Sequence, residues 1–115
     1  MSGIATLRRR PEFLAVAASG KKWAAPGMVL QIGAPRETSS PARFGLTASS
    51  KVGGAVIRNR ARRRLRALAV EILPKHAESS RDYVLIARAA TATRTFADLR
   101  QDLVTALQKL GAWRE

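Results

Sequence analysis

The sequence predicts an α+β fold, one sheet with helices packed on it, in a single domain spanning residues 1–115. Three observations carry that expectation. The apolar pattern runs in the order helix, two or three strands, helix, strand, helix. The stretch Tyr83-Val-Leu-Ile-Ala87 is a continuous apolar run of strand length, which suits a strand buried on both faces. A chain of 115 residues can bury one core and is too short for two.

Taken in order, Pro11 near a first helical position and Gly20 just past an end frame a short helix over about Arg10 to Ser19. Its apolar arc is Phe13, Leu14, Val16 and Ala17. Trp23–Ala25 and Met28–Ile32 read as two extended segments broken by Pro26-Gly27. Ala34–Pro41 is a surface loop by composition, and Arg43–Ala48 alternates as a strand with Phe44 and Leu46 on one side. From Ala55 the apolar residues Ile57, Ala61, Leu65, Leu68 and Ile72 recur at helical steps and fall within an arc of about 80°. Pro74 is expected to stop that helix near Leu73. Ser79–Asp82 is a turn before the apolar strand. Thr95 then caps a last helix whose inner positions are Phe96, Leu99, Leu103, Leu107 and Leu110, with Asp98 in its first turn and Lys109 in its last, and Gly111 ends it. The strands at Arg43 and Tyr83 are joined through a helix, which suits a parallel pair.

Charge is distributed very unevenly. No acid occurs between Thr38 and Val70, and that window holds Arg43, Lys51, Arg58, Arg60, Arg62, Arg63, Arg64 and Arg66 out of a formal net charge of +13. On the helix the arginines occupy the circumference outside the apolar stripe. Arg58 and Arg64 flank it, and Arg60, Arg62, Arg63 and Arg66 point away. An ordinary solvated face mixes acids with bases, because like charges four residues apart repel. Here Arg58/Arg62, Arg60/Arg64 and Arg62/Arg66 go unrelieved, so the face calls for a polyanion, and nucleic acid is the expected one.

Several function classes are excluded by what is missing. Without cysteine there is no disulfide framework and no thiolate chemistry. The single histidine, His76, lies in a polar stretch and reads as a surface loop residue, not a metal ligand. The eight acids are scattered, with no cluster suited to two-metal phosphodiester hydrolysis, so no catalytic residue and no metal ligand is assigned to the chain. A helix-turn-helix does not fit either, since the basic helix stands between strands. No apolar run is long enough for a signal peptide or a membrane span, so a cytoplasmic protein without a membrane partner is expected.

The segment Lys51-Val52-Gly53-x-Ala55-Val56-x-Arg58-Asn59-Arg60-x-Arg62-Arg63-x-x-Arg66 resembles the signature of the bacterial ribonuclease P protein component. Leu7-Arg8-Arg9-x-x-Glu12-Phe13, Arg43-Phe44-Gly45-Leu46 and Asp82-Tyr83-Val84-Leu85-Ile86-Ala87-Arg88 match it in order and spacing, so the likeness covers about Leu7 to Leu110. The resemblance implies an α-β-β-β-α-β-α sandwich with a left-handed crossover through the basic helix, against the usual hand. It implies a protein subunit that binds a catalytic RNA and precursor tRNA, promoting endonucleolytic removal of the tRNA 5′ leader, with no small-molecule substrate. It further implies that the chemistry and its Mg²⁺ belong to the RNA, with no cofactor bound by the protein alone. By position, contacts to the catalytic RNA fall on Lys51, Arg58, Asn59, Arg60, Arg62, Arg63 and Arg66, and contacts to the leader on Phe13 and Arg88. Asn59, as an amide, suits either a base edge or the orientation of its arginine neighbours. Phe13 suits either a stacked base or the core. The chain departs from the family at Ala17 and Gln31, where aromatics are expected, at Gly54 in place of asparagine and at Ser50 in place of lysine.

Overall fold

The computed structural model describes residues 4–37 and 40–115. Residues 38 and 39 of the loop read over Ala34–Pro41, and with them the start of the acid-free window, lie outside the described residues.

The elements are β1 (Ala5–Thr6), α1 (Arg10–Ala18), β2 (Lys21–Ala24), β3 (Met28–Ile32), β4 (Arg43–Thr47), α2 (Ala55–His76), β5 (Asp82–Ala87) and α3 (Phe96–Lys109). The sheet order is β1-β4-β5-β3-β2. β4 and β5 are parallel neighbours joined through α2, while β3 runs antiparallel to both β5 and β2. The crossover strands are therefore the parallel pair that the sequence predicts.

Strand alternation sorts the core into two layers. On one face Phe44, Tyr83, Leu85, Met28, Leu30 and Ile32 meet Ala61, Leu65, Leu68, Ala69, Ile72 and Leu73 of α2 and Leu99, Leu103, Ala106 and Leu107 of α3. The opposite face is covered only in part: Val84 packs with Leu7 and with Val16 of α1, flanked by Phe13 and Ile86. α1 starts where the Glu12 carboxylate accepts the backbone N–H groups of Arg8 and Arg9, both at 2.9 Å. Thr95 caps α3 by accepting the Asp98 N–H at 3.1 Å.

Some expectations are corrected. β1 was not predicted; two residues are too few to carry a periodicity, and they pair with β4. β2 begins at Lys21 and ends at Ala24, shifted from the expected Trp23–Ala25. Pro74 lies inside α2 and does not end it. The bond it forfeits is to the Val70 carbonyl, and Val70 is exposed, so water can serve that group. The helix runs on to His76, and Ala77 N–H donates to the Leu73 carbonyl at 3.1 Å. His76 is then not a loop residue: its ring stacks on Trp113 at 4.4 Å between centroids and 12° between planes. Two 3-10 turns, Ser50–Val52 and Ala89–Ala92, also went unpredicted.

Candidate nucleic-acid interface

The stripe of α2 is buried at Ala61, Leu65, Leu68 and Ile72, but Ile57 is 40% exposed and Val56 80%. The first turn of the helix therefore projects past the sheet, carrying the start of the basic face into solvent. Lys51, on the 3-10 turn just before it, is exposed, and Ser49 Oγ caps that turn. Asn59, Arg63 and Arg66 are exposed, and Arg58 and Arg62 half-buried. Together with Val56, the residues Asn59, Arg62, Arg63 and Arg66 line a shallow groove of about 500 Å³. Arg62 Nη1 donates to Asn59 Oδ1 at 3.1 Å, so the amide holds an arginine in place. The outer face of α2 is a row of guanidinium groups with an oriented spacer between them, a geometry that suits successive phosphates.

Two arginines of the cluster turn elsewhere. Arg60 was expected to point away from the body, yet its Nε donates to the Ala92 carbonyl at 2.9 Å. Arg64 donates from Nη1 to the Thr91 carbonyl and from Nη2 to the Arg94 carbonyl, both at 2.6 Å. Its guanidinium also lies 5.9 Å from the Phe96 ring centroid. Burial, with the charge of Arg60 behind it, lowers the Arg64 pKa from its ordinary value. The 3-10 turn they hold is tied in its turn to the β2–β3 hairpin. Thr91 Oγ1 donates to the Gly27 carbonyl, and Arg88 Nη1 donates to the Ala25 carbonyl at 2.8 Å. Asp102 Oδ2 accepts from Gly27 N–H at 3.0 Å and from Arg94 Nε at 2.7 Å. Apart from the Arg94–Asp102 pair, this network joins residues 27 to 75 positions apart in sequence, and no local pattern announces it.

Beside α1 the second face of the sheet is only partly covered, leaving an open strip, the cleft, along it. Phe13 is half-buried and stands directly over Gly45. Leu14 is 53% exposed and Ala17 is exposed, so the expected apolar arc of α1 narrows to Phe13 and Val16. Registers across the strands place Thr47, Ile86, Val29 and Ala24 on this face in one row, and Gln31 beside Lys22 in the next. Arg88 follows Ile86 in the same alternation, just past the end of β5, and is exposed. The far end is locked by ion pairs. Arg43 contacts Asp82 at 2.7 Å and Glu12 at 3.3 Å, and Arg36 contacts Asp82 at 3.1 Å. The Glu12 carboxyl is held below its ordinary range chiefly by the backbone N–H groups of Arg9 and Arg8.

Most of the acids are committed to ion pairs. Glu12, Glu71, Glu78, Asp82 and Asp102 are each paired with an arginine. Among the described residues no group of His, Cys, Asp and Glu converges as a cation site. Carboxylates already neutralised by guanidinium groups are poor donors for Mg²⁺, which leaves these five ill suited to hold the ion.

Known proteins resemble the chain in sequence and in fold. The profile of the family described as Ribonuclease P matches residues 1–111. The ribonuclease P protein component of Paramagnetospirillum magneticum is 48% identical over 109 residues, covering 92% of this chain and 82% of that protein. That of Gluconacetobacter diazotrophicus is 48% identical over 105 residues, covering 91% and 90%. In fold, the RNase P protein of Staphylococcus aureus superposes with a TM-score of 0.76 at 21% identity, covering 95% of this chain and 97% of that one. Profile, identity over nearly the whole length and shared architecture agree: the chain belongs to the ribonuclease P protein family.

Proposed function

We propose that the chain works as one RNA-binding unit over residues 1–115, the protein subunit of a ribonuclease P ribonucleoprotein that removes the 5′ leader from precursor tRNA. The observation that carries this is the acid-free arginine row on the outer face of α2, set on a helix whose inner face is docked from Ala61 to Leu73. In this reading Lys51, Arg58, Asn59, Arg60, Arg62, Arg63 and Arg66 contact the catalytic RNA. Arg62 and Asn59 act as a unit, and Arg60 contributes with its Nε already given to Ala92. Phe13 and Arg88, at opposite ends of the cleft, hold the single-stranded leader, Phe13 by stacking and Arg88 by its charge.

The phosphodiester chemistry belongs to the RNA subunit, and so does the Mg²⁺ it needs; the ion-paired acids of this chain support that division. The protein raises the local concentration of substrate at the RNA's active centre and neutralises phosphate repulsion between two RNAs. Among the described residues no helix is long and apolar enough to cross a membrane, and a cytoplasmic site of action accords with tRNA processing.

The decisive assay measures cleavage of precursor tRNA at low Mg²⁺ with the chain alone, a bacterial catalytic RNA alone, and both together. Cleavage by both far exceeding the RNA alone is expected. A protein that adds nothing to the RNA sinks the reading, and one that cuts unaided relocates the active centre to the protein.

A further inference from the structure

β2 is an outer strand of the sheet, and all four of its residues, Lys21 to Ala24, are exposed. Trp23 keeps 36% of its surface in solvent. Paired opposite Leu30, it lies on the α3 side of the sheet, where Lys109 Nζ stands 5.7 Å from its ring centroid. Lys21 Nζ donates to the Leu110 carbonyl at the end of α3, at 3.0 Å. Lys22, paired opposite Gln31, lies on the other face and continues the floor of the cleft. Neither β2 nor the last turn of α3 contains an acid. This exposed aromatic, with one lysine over its ring and two more on its strand, lies at the sheet edge, outside the core clusters and the arginine row.

We propose that this edge is a second contact for single-stranded RNA, in which Trp23 stacks a base and Lys21, Lys22 and Lys109 meet the flanking phosphates. Its occupant is the stretch of leader that leaves the cleft across β2, an assignment that rests on the function given above. Lys22 joins the two surfaces: a strand lying over Val29 and Gln31 reaches Lys22 before it turns over the edge to Trp23. Stacking on an indole accepts any base, which suits a leader of variable sequence. When RNA arrives, Lys109 exchanges its place over the ring for a phosphate while the base takes the ring. A second copy of the chain fits this edge poorly. Lysines on an outer strand oppose edge-to-edge pairing, and two chains of charge +13 repel.

The test uses the two tryptophans. Trp113→Phe leaves Trp23 as the sole indole, and its emission is followed while the free protein is titrated with a short oligoribonucleotide. The assembled holoenzyme is then titrated with precursor tRNAs carrying short and long leaders. Saturable quenching by the oligonucleotide and by the long-leader substrate is expected. In the parent chain, Trp23→Leu should weaken long-leader binding roughly fivefold or more, the low end for a lost base–aromatic stack. Short-leader binding and catalytic-RNA binding should not change, and Trp23→Phe should restore much of the loss. Lys21→Ala and Lys109→Ala should each lower the log–log salt slope for the oligonucleotide by about 0.7. Near-ultraviolet dichroism of Trp113 checks that the Trp23 variants remain folded.

Any of three results overturns the proposal: no quenching by any RNA, quenching by the catalytic RNA alone, or equal loss for short and long leaders. Self-association of the parent chain that Trp23→Leu abolishes would overturn it too, in favour of a second copy. Failure of the underlying function shows separately, as a parent chain that does not bind catalytic RNA. Oligonucleotide quenching in that case would uphold the edge as an RNA contact and overturn the function alone.

Discussion

The ring of Phe13 rests on the backbone of Gly45: a Cβ at Gly45 would lie 2.6 Å from both Cε2 and Cζ of that ring. Only glycine allows the helix to bring an aromatic so close to β4. Phe13 is half-buried, so it is both a packing residue and an aromatic surface beside the cleft.

Gly45→Ala should push Phe13 off the sheet and cost about 1–3 kcal/mol of stability, the usual range for overpacking. Urea denaturation checks it; an unchanged midpoint would mean that α1 shifts freely over β4. Phe13→Ala should weaken binding of leader-bearing substrate more than binding of mature tRNA. Equal effects on both would leave Phe13 a packing residue only.

Arginines on one helix should separate into two kinds. Arg62→Ala, Arg63→Ala or Arg66→Ala should reduce affinity for the catalytic RNA and lower its log–log salt slope by ~0.7–0.9 per phosphate lost, with little change in stability. Arg64→Ala should do the reverse. It strands the carbonyls of Thr91, which is fully buried, and Arg94, at about 1–3 kcal/mol. Salt-dependent binding and denaturation, run on the same variants, make the comparison.

Asp102→Ala should be among the most damaging single changes, at about 3 kcal/mol. Asp102 is 6% exposed and holds both Arg94 and the Gly27 N–H. Gly27 is itself pinned, since a Cβ there would fall 2.4 Å from Leu99 Cδ2 and 2.6 Å from Asp102 Oδ2. The thermal midpoint of Asp102→Ala reads the outcome, and a shift no larger than that of a surface substitution would count against the network.

Acid should loosen the fold through Glu12 and Glu71. The carboxyl of Glu12 is lowered by the N–H groups of Arg9 and Arg8, and that of Glu71 by the hydrogen bond from Arg100, both from an ordinary 4.5. A folded-state value below the unfolded one gives stability that is complete above about pH 4.5 and fades as pH falls through the lowered value. Glu71 is exposed and Glu12 partly so, so added salt should shrink the effect. Melting curves from neutral pH down to about pH 3 should therefore be flatter in Glu12→Gln than in the parent chain.

Much of this was legible in the sequence. The stripe from Ala61 to Ile72, the buried strand Tyr83–Ala87, the Thr95 cap and the parallel pairing through α2 all appear where their patterns place them. Pro74 misled because a helix terminus depends on whether solvent can reach the freed carbonyl, which a residue name does not say. Leu14 and Ala17 misled because α1 is too short for its arc to show which side of it meets the sheet.

The sequence alone determined the charge of the basic helix, the stripe that docks it and the family to which its spacing belongs, because these depend on residue type and local period. Tertiary structure alone decided which arginines of the helix are drawn back onto the protein body. Arg60 and Arg64 share a helix with Arg62, Arg63 and Arg66, but the 3-10 turn at Ala89–Ala92 offers carbonyls to the first two only. Period fixes the direction in which a side chain leaves its helix; what stands opposite is set by chain segments distant in sequence.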